Sequence, residues 1–578
     1  MNARPIPRPD YPRPQMVRDE WLNLNGVWEF ELDPGLSGEE RGLAAGGEAL
    51  SRSILVPFAP ESELSGLGHR DFMPCVWYRR AFALPSGWQN GRVLLHFGAV
   101  DYEAKVWVNG RPAGSHRGGY SSFSFDITDL LRAGENIIVV RAFDDTRSGL
   151  QPTGKQSVTY DSKGIFYTRT TGIWQTVWLE PVPHTHLQGF RLYPDLDGGK
   201  VMVHARVAGD TAGLVLKARA RADGRLVGEA EASADSSTLF SLGLSEVHAW
   251  GPGEPFLYDL EFTLARGAEQ LDQVRSYVGR RKVHIEGKRI LVNNRPLFQR
   301  LVLDQGFYPQ GIYTPKTEDI FRSDIELAMA MGFNGARLHQ RVFEPRFLYW
   351  ADRLGYLCWG EYANYGLDHA HPSALERVLE EWLAVLDRDF SHPCLIGWCP
   401  FNETYPGQNA ELLRSIYRVT KAVDPTRPVI DTSGYVHVET DIYDCHAYEG
   451  DPAKFAALFE PFKTSDQICQ NHPDHDARYQ GQPYFVSEYG GIWWNPGQAD
   501  DQAWGYGDRP GTQEEFLARY RSLTEALLFH PKIAGFCYTQ LCDVEQEVNG
   551  LLDHNHRPKF DPAVMREINA QQAAIESE

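Results

Sequence analysis

LIGWCPFNET, residues 395–404, is an apolar run of strand length that ends in three polar residues, Asn402, Glu403 and Thr404. A second run, PYFVSEYGG at residues 483–491, has the same plan and places Glu488 at its end. Runs of this kind alternate with long amphipathic segments, which is the pattern of βαβ units. They are LFQRLVL (297–303), FNGARLH (333–339), YLCWGEY (356–362), LIGWCPFN (395–402), PVIDTS (428–433), IYDCHAY (442–448), PYFVSE (483–488) and IAGFCYTQ (533–540). Eight such strands predict a (β/α)8 TIM barrel over residues 278–578.

The segments between these strands have helical periodicity. Apolar residues recur in them every three or four positions, as on the buried face of an amphipathic helix. The predicted helices are EDIFRSDIELAMAM (318–331), ALERVLEEWLAVLDRDF (374–390), AELLRSIYRVTKAV (410–423) and TQEEFLARYRSLTEALLF (512–529). Residues 449–482 lack this pattern, and we expect an irregular active-site loop there.

The chain before the barrel is patterned as β-structure. Up to residue 183, short runs with period-two alternation are separated by Gly, Pro, Asn and Asp, which predicts an all-β sandwich. The runs are GVWEFELD, VWYRRAFAL, GRVLLHFGAV, YEAKVWVNG, NIIVVRAF and WQTVWLEPV. Asn109-Gly110 is a hairpin signal. Four more runs between residues 184 and 277 fit a small immunoglobulin-like sandwich.

Composition excludes several classes of protein. A net charge of −20 over 578 residues argues against nucleic acid or an anionic membrane as a partner. No apolar run approaches the ~20 residues of a membrane helix, and no apolar signal region follows the basic start, so we expect a cytoplasmic protein. The 8 cysteines form no Cys-x-x-Cys pair and lie mostly in apolar runs, which predicts buried thiols in a reducing compartment.

Two strand-end glutamates are the candidates for catalysis. The active site of a (β/α)8 barrel lies at the carboxyl ends of its strands, where Glu403 ends the fourth run and Glu488 the seventh. A carboxylate directly after a buried strand is costly unless it is paired or used. A retaining glycosidase needs one carboxylic acid to protonate the leaving oxygen and one carboxylate to attack the anomeric carbon. The two glutamates together therefore predict a glycosidase.

The sequence resembles glycoside hydrolase family 2, the family of β-galactosidases, β-glucuronidases and β-mannosidases. The resemblance covers nearly the whole chain and is carried by VWYRRAF, VWVNG, TTGIWQTVWLEPV, NGARLHQ, DRDFSHPCLIGWCPFNE and FVSEYGG. It implies a jelly-roll sugar-binding-like domain at residues 1–183, an immunoglobulin-like sandwich at 184–277 and a catalytic barrel at 278–578. It also implies a retaining, exo-acting hydrolase with Glu403 as acid/base and Glu488 as nucleophile.

The resemblance suggests roles for two residues beside the pair. Asn402 resembles the Asn that hydrogen-bonds the sugar 2-hydroxyl, a contact that strengthens in the transition state. Arg337 resembles the Arg that orients and ionises the nucleophile, with a structural ion pair at the barrel rim as the alternative. We expect Arg337 within hydrogen-bond reach of Glu488. We also expect Glu403 in less charged surroundings that raise its pKa, as a general acid requires.

Three residues at the ends of strands two and six are further candidates for the site. His339 either meets a sugar hydroxyl or caps its strand. His446 and Tyr448 end strand six, beside the strand of the nucleophile. In the family a Tyr hydroxyl commonly steadies the nucleophile, so we expect one of these two to line the site.

Four other residues are weaker candidates. Trp493 and Trp494 follow the nucleophile and either stack on the sugar as a subsite wall or anchor their loop. Asp304 and Glu361 end strands one and three, where their carboxylates are placed to bind sugar hydroxyls. The two interpretations of Trp493 and Trp494 stay open at this point.

Two branches of the family differ from this sequence. The magnesium-dependent branch carries a Glu and a His after strand three, and EYANYGLDHAH (361–371) offers no match, so we predict no metal and no other cofactor. The branch that cleaves glucuronides carries Asn-x-Lys before a Gly near the chain's end, and here EVNG (547–550) has no Lys to meet a carboxylate.

We therefore expect a terminal β-D-galactoside as the substrate. α-L-Arabinopyranosides, β-mannosides and β-glucuronides are the alternatives within the same mechanism. An alternative of another class is a catalytically inactive carbohydrate-binding protein, which the loss of either glutamate would indicate. Both glutamates are present. The expected partner is a carbohydrate, and a homo-oligomer is left open.

Overall fold

The structure is a computed structural model and describes residues 5–88, 90–497 and 502–577. The first region is a β-sandwich. A six-stranded sheet of order β3-β2-β4-β10-β7-β8 packs on a four-stranded sheet of order β1-β12-β5-β9, with Trp28, Tyr78 and Leu179 in the core between them. Its strands are β1 (Leu22–Asn23), β2 (Gly26–Leu32), β3 (Arg52–Val56), β4 (Cys75–Ala83), β5 (Arg92–Phe97), β6 (Val100–Asp101), β7 (Glu103–Val108), β8 (Arg111–Arg117), β9 (Phe123–Asp126), β10 (Glu135–Phe143), β11 (Gly172–Ile173) and β12 (Val177–Val182).

The predicted Asn-Gly hairpin joins β7 to β8. Asn109 has φ 53° and Gly110 has φ 76°, the left-handed pair that a type I′ turn requires. The two strands pair antiparallel on either side of it. Local turn chemistry therefore fixes the register of this edge of the sheet.

The second region is a smaller sandwich with clean alternation of buried and exposed residues. A three-stranded sheet of order β13-β14-β17 faces a four-stranded sheet of order β16-β15-β20-β21. Val203, Leu216 and Phe262 are buried between them. Its strands are β13 (His186–Asp195), β14 (Lys200–Ala208), β15 (Leu214–Ala222), β16 (Arg225–Ser233), β17 (Ser237–Gly243), β18 (Trp250–Gly251), β19 (Glu254–Pro255), β20 (Tyr258–Arg266) and β21 (Glu269–Val278).

The third region carries the parallel strands. After a small antiparallel sheet, seven strands form one parallel sheet of order β28-β27-β26-β25-β33-β32-β31, and β29 pairs in parallel with β30. The strands are β22 (Val283–Glu286), β23 (Arg289–Val292), β24 (Arg295–Pro296), β25 (Gln299–Asp304), β26 (Gly335–Leu338), β27 (Leu357–Glu361), β28 (Leu395–Cys399), β29 (Phe401–Thr404), β30 (Thr432–Tyr435), β31 (Tyr443–Ala447), β32 (Tyr484–Gly490) and β33 (Ile533–Thr539). All eight predicted runs contain strand residues, and the fourth is divided into β28 and β29. The predicted fold class is confirmed.

In the described residues, six helices lie between these strands and a seventh follows the last of them. They are α1 (Asp319–Ala330), α2 (Pro345–Leu354), α3 (Ala374–Asp389), α4 (Ala410–Val423), α5 (Pro452–Thr464), α6 (Gln513–Leu528) and α7 (Pro562–Asn569). Short 3-10 helices are formed by Leu43–Ala45, Glu63–Ser65, Thr128–Leu130 and Ala574–Glu576. None of the described helices is both long and apolar enough to cross a membrane. All eight cysteines are free thiols, and all but Cys469 are buried.

The prediction that residues 449–482 are irregular is wrong for the first part of the segment, where α5 spans Pro452–Thr464, whereas residues 465–482 form no helix or strand. The Asp451 side chain accepts hydrogen bonds from two backbone N–H groups of the first turn, and a proline opens the helix. Phe455, Phe459 and Phe462, spaced four and three residues apart, bury one face. These cap and spacing signals are present in the sequence.

One segment of the first region reaches the barrel. The backbone N–H of Thr153 donates to the Tyr365 carbonyl at 2.7 Å, and the Tyr167 hydroxyl donates to Glu547 at 2.6 Å. Gln546 donates to the carbonyls of Gly164 and Phe166. Residues 151–171 therefore form part of the wall around the carboxyl ends of the barrel strands.

Candidate active site

The two predicted glutamates face each other at the barrel mouth. Glu403 lies on β29 and Glu488 on β32, and a carboxylate oxygen of one lies within 4.8 Å of a carboxylate oxygen of the other. Retaining glycosidases hold their carboxyl groups about 5–5.5 Å apart, against roughly 6.5–9.5 Å where a water must fit between. Glu403 also has φ 47°, a left-handed conformation that is rare outside glycine and clusters at functional sites. The close approach of these two oxygens favours the shorter of the two separations.

Arg337, at the end of β26, holds one of these carboxylates. Its guanidinium is fully buried and donates to Glu488, to Glu361 at 2.5 Å and to the Asn402 side-chain oxygen at 3.1 Å. Burial opposes its charge, but Glu361 and Glu488 outweigh that penalty and raise the pKa of Arg337 well above its usual value. A permanent positive charge therefore stands beside Glu488.

A chain of hydrogen bonds connects Arg337 to the other glutamate. The Asn402 amide accepts from Arg337 and donates to the Tyr365 hydroxyl at 2.8 Å. Tyr365 in turn donates to Glu403 at 2.5 Å. Tyr365 was not predicted, although it lies in the stretch after strand three. Both polar ends of Asn402 are therefore occupied before a sugar arrives.

Tyr448 steadies Glu488 from a second side. Its hydroxyl donates to the carboxylate and lies 3.0 Å from the Thr539 hydroxyl. Its ring stacks on Tyr506 with centroids 3.6 Å apart. Tyr448 therefore contacts Glu488, and a role in steadying a nucleophile stays a prediction.

His446 lies between the two glutamates. Its Nδ1 is 2.9 Å from Glu403 and 3.4 Å from Glu488. Burial alone would lower the pKa of His446, but the two carboxylates raise it above its usual value. Burial likewise acts to raise the pKa of Glu403, but the hydrogen bond from His446 lowers it below its usual range. The expectation of a raised pKa for Glu403 is wrong, because it placed no cation beside that carboxyl.

Four residues hold His446 in this orientation. Its Nε2 is 3.1 Å from the Ser433 hydroxyl, and the Asn471 side chain bonds both its backbone N–H and its carbonyl. Asp444 accepts from Ser433, and His437 lies 3.0 Å from a carboxylate oxygen of Asp444. Asn471 belongs to the segment 449–482, which therefore contributes to the site by holding the backbone of His446.

His339 and Glu361 are both at the site, but they face each other. The His339 Nδ1 is 3.0 Å from Glu361, whose carboxylate also accepts from the Gln340 backbone N–H at 2.9 Å. Burial, followed by the positive charges of Lys155 and Arg337, lowers the pKa of His339 well below its usual value. His339 is therefore neutral and presents no charge to a ligand.

The structure does not bring Asp304 or Trp494 to the glutamate pair. Asp304 accepts from the Gly306 backbone N–H at 2.8 Å, and burial and Asp324 on α1 raise its pKa to about 6. Trp494 packs on Phe516 at 6.3 Å, so it anchors its loop. Both side chains face the helix layer. The position of a residue at a strand end does not show in which direction its side chain points.

Trp493 and Glu547, which follow strands seven and eight, lie at the rim of the site. The Arg509 guanidinium lies 5.3 Å from the Trp493 ring. Glu547 accepts from Tyr167 at 2.6 Å and from the Asn549 amide at 3.0 Å. Both carboxylate oxygens of Glu547 are therefore engaged by protein donors.

The first region brings Lys155 to the site, a residue that was not predicted. Gly154 makes this possible, because a Cβ there would lie 2.2 Å from the Gln340 carbonyl oxygen, a backbone atom. Its φ of 57° also favours glycine. In the sequence, Lys155 appears only as a lysine in the turn-like stretch TGKQ (153–156). That pattern does not indicate which domain its side chain contacts.

Two groups in the described part of the chain have a spacing that could hold a metal ion. They are Asp352, His392 and Cys394, and Glu403, His446 and Glu488. In both groups the ligand atoms already bond protein partners, as His392 does to Asp352 at 2.5 Å. We assign no metal to either group, and the absence of a cofactor stays a prediction.

Comparisons with known proteins agree with this architecture. Residues 65–183 match the profile of the glycosyl hydrolases family 2 sugar binding domain, 185–281 that of glycosyl hydrolases family 2, and 283–551 that of its TIM barrel domain. A β-glucuronidase of Paenibacillus borealis is 24% identical in an alignment of 587 positions, gaps included, that covers 90% of this chain and 90% of that protein. A β-galactosidase of Leuconostoc mesenteroides is 27% identical in an alignment of 383 positions that covers 62% of this chain and 35% of that protein.

A solved structure shares the whole fold. The β-glucuronidase of Bifidobacterium dentium complexed with coumarin-3-O-glucuronide has a TM-score of 0.80 and 21% identity, covering 96% of this chain and 98% of the other. At that identity the likeness concerns the fold alone.

Substituting Gly154 tests the approach of the first region to the barrel. We expect Gly154→Ala to lower kcat/KM for a nitrophenyl glycoside by about 10- to 100-fold, because the added Cβ pushes Lys155 and its neighbours off the rim. Gly164→Ala is the matched control, since Gly164 shares the φ of 57° and has nothing within 4 Å of an added Cβ. Equal losses in both variants would show that backbone strain, not the close approach, decides the effect.

The proton shared by Glu403 and His446 predicts the alkaline limb of the pH profile. Because the pKa of His446 is raised, the pair keeps its proton above pH ~6.5, the ordinary imidazole value, and loses it as pH rises further. In His446→Asn only the carboxyl can hold that proton, so the alkaline limb of kcat/KM should move to lower pH. His339→Asn, which removes a neutral histidine, should leave the limb in place. An unmoved limb in His446→Asn contradicts the shared proton.

Proposed function

The chain belongs to glycosyl hydrolase family 2, and from that premise we propose that it is a retaining, exo-acting β-glycosidase. Glu488 is the nucleophile and Glu403 the acid/base. One observation carries the proposal: Glu488 is held by Arg337 and Tyr448 while a Glu403 oxygen stands within 4.8 Å of it. A carboxylate placed to attack and a second carboxyl group that can receive and deliver a proton are, at this spacing, what double displacement requires.

The reaction proceeds in two displacements. Glu488 attacks the anomeric carbon, the bond to the leaving oxygen breaks, and Glu403 delivers a proton to that oxygen. Water then attacks the glycosyl–enzyme ester as Glu403 takes its proton, which releases the sugar and restores Glu488. Each carboxyl returns to its starting state after one turnover.

Arg337 and Tyr448 act on the nucleophile. Their hydrogen bonds orient the Glu488 carboxylate and place two donors against it. When Glu488 becomes an ester, its charge is lost and these donors remain to stabilise the carboxylate as it leaves in the second step. Their positions are set before substrate binds, so they need no rearrangement during the reaction.

His446 acts as the proton partner of Glu403. In the free enzyme the two carboxylates favour the imidazolium, and the 2.9 Å contact passes the proton to Glu403 when it is needed. Esterification of Glu488 removes one of the two charges that raise the pKa of His446. The proton equilibrium of the pair therefore changes between the two displacements.

The terminal sugar we propose is a β-D-glucuronide. The match to the Paenibacillus borealis β-glucuronidase covers 90% of each protein, whereas that to the Leuconostoc mesenteroides β-galactosidase covers 35% of the latter. The expectation of a galactoside rested on the stretch EVNG (547–550), which has an acid and an amide, and no Lys, where the glucuronide-cleaving branch has Asn-x-Lys. Lys155, from another domain, supplies a cation at the same site, which removes the ground for excluding a sugar acid.

A β-D-galactoside is the second candidate. Glu547 stands in the stretch where the glucuronide-cleaving branch has its amide and lysine, and its carboxylate repels another carboxylate. Burial raises the pKa of Glu547 above its usual value, and Lys155 opposes that rise. The balance between these charges decides between the two sugars.

A panel of nitrophenyl glycosides at equal concentration tests the sugar. We expect the β-D-glucuronide to exceed the β-D-glucoside, β-D-galactoside, β-D-mannoside and α-L-arabinopyranoside by on the order of 100-fold in kcat/KM, because a site built for a charged group rejects analogues that lack it. Preference for the galactoside would favour the second candidate. No hydrolysis of any member would contradict the proposed activity.

A further inference from the structure

Residues 153–155 are fixed against the barrel by backbone contacts. The Thr153 N–H donates to the Tyr365 carbonyl at 2.7 Å, and the Tyr167 N–H donates to the Lys155 carbonyl at 2.7 Å. Gly154 lies between them with no room for a Cβ against Gln340. The backbone of Lys155 is therefore held on both sides, and its side chain points into the site.

The side chain of Lys155 is nearly buried, and its ammonium group has no anionic partner. The residue is 6% exposed, and its Nζ lies 5.3 Å from the centre of the Tyr365 ring. Across the described ranges, no carboxylate lies within 4.0 Å of it and no acceptor hydrogen-bonds it. A buried charge is costly unless it is paired, so this lysine requires an anionic or strongly polar partner.

The acidic residues around Lys155 do not supply that partner. Its charge acts on Glu403 and Glu547 at a distance. Glu403 already accepts from His446 and Tyr365. The oxygens of Glu547 are engaged by Tyr167 and by an amide. The carboxylates of Glu403 and Glu547 thus accept hydrogen bonds from other protein donors, and the lysine remains available to bind a ligand.

We propose that Lys155 binds the carboxylate of a terminal hexuronic acid and so determines specificity for sugar acids. This rests on the proposed function, because it takes the sugar to be a glucuronide cleaved between Glu403 and Glu488. On one side the ammonium lies over the ring of Tyr365, the residue that donates to Glu403. On the other side its charge acts on Glu547, in the stretch EVNG (547–550) after strand eight. A sugar whose anomeric carbon meets Glu488 fills the space between them.

A carboxylate fits this site better than a hydroxyl. The carboxylate brings the full negative charge that the buried ammonium lacks, and charge-assisted hydrogen bonds are roughly twice as strong as neutral ones. Specificity for the sugar acid would then come from the first domain, not from the barrel loop that carries EVNG. The domain whose profile is that of a sugar binding domain would take part directly in the catalytic subsite.

The test compares two substrates that differ only at C6, nitrophenyl β-D-glucuronide and β-D-glucoside. In Lys155→Met we expect the ratio of kcat/KM for glucuronide over glucoside to fall by about 30-fold or more, mainly through KM, because one partner of a buried charge pair is lost. Lys155→Arg should recover part of the ratio, since it restores the charge. Lys163→Met, an exposed lysine of the same segment, is the control and should keep the wild-type ratio.

The outcomes separate this inference from the proposed function. If wild-type enzyme prefers the glucuronide but Lys155→Met loses activity equally on both substrates, Lys155 is structural and only this inference falls. If wild-type enzyme prefers neutral glycosides, the proposed sugar is wrong and the inference falls with it. Thermal unfolding of each variant distinguishes loss of folding from loss of binding, and binding of free glucuronic acid against glucose repeats the comparison without turnover.

Discussion

The buried guanidinium of Arg337 is the constraint on which the rest of the site depends. It is charged and fully buried, and it is stable there only because Glu361 and Glu488 surround it. Arg337 also donates to the Asn402 side chain, which donates to Tyr365, and Tyr365 donates to Glu403. One charge therefore sets the positions of both carboxylates, and every group in the network comes from the end of a barrel strand or the loop that follows it.

A second charge, on His446, makes the two glutamates different from each other. Glu488 is bound by Arg337 and Tyr448, whereas Glu403 is bound by a histidine that can keep or release its proton. The barrel alone provides this pair. The wall beside it comes from the first sandwich, which reaches across at Gly154 and carries Lys155. Chemistry and sugar recognition would thus reside in different domains, which meet at several contacts, among them the close backbone approach at Gly154.

The sequence predicted what depends on local pattern. The eight strand runs, the Asn109-Gly110 hairpin and the positions of Glu403 and Glu488 follow from periodicity and from polar residues at strand ends. It failed where three-dimensional packing decides. Asp304 faces α1, Glu403 has a cation beside it, and Lys155 enters from a distant segment, none of which spacing along the chain can show. The helix α5 was missed although its cap at Asp451 was present.

The most direct test of the retaining pair is to trap the covalent intermediate. A 2-deoxy-2-fluoro glycosyl fluoride of the preferred sugar should form a slowly hydrolysed ester, and mass spectrometry of the digested enzyme should find one added sugar on the peptide that contains Glu488. Glu488→Gln should acquire no label. A label on Glu403, or turnover with inverted anomeric configuration and no labelled peptide, would contradict the assignment of Glu488 as the nucleophile.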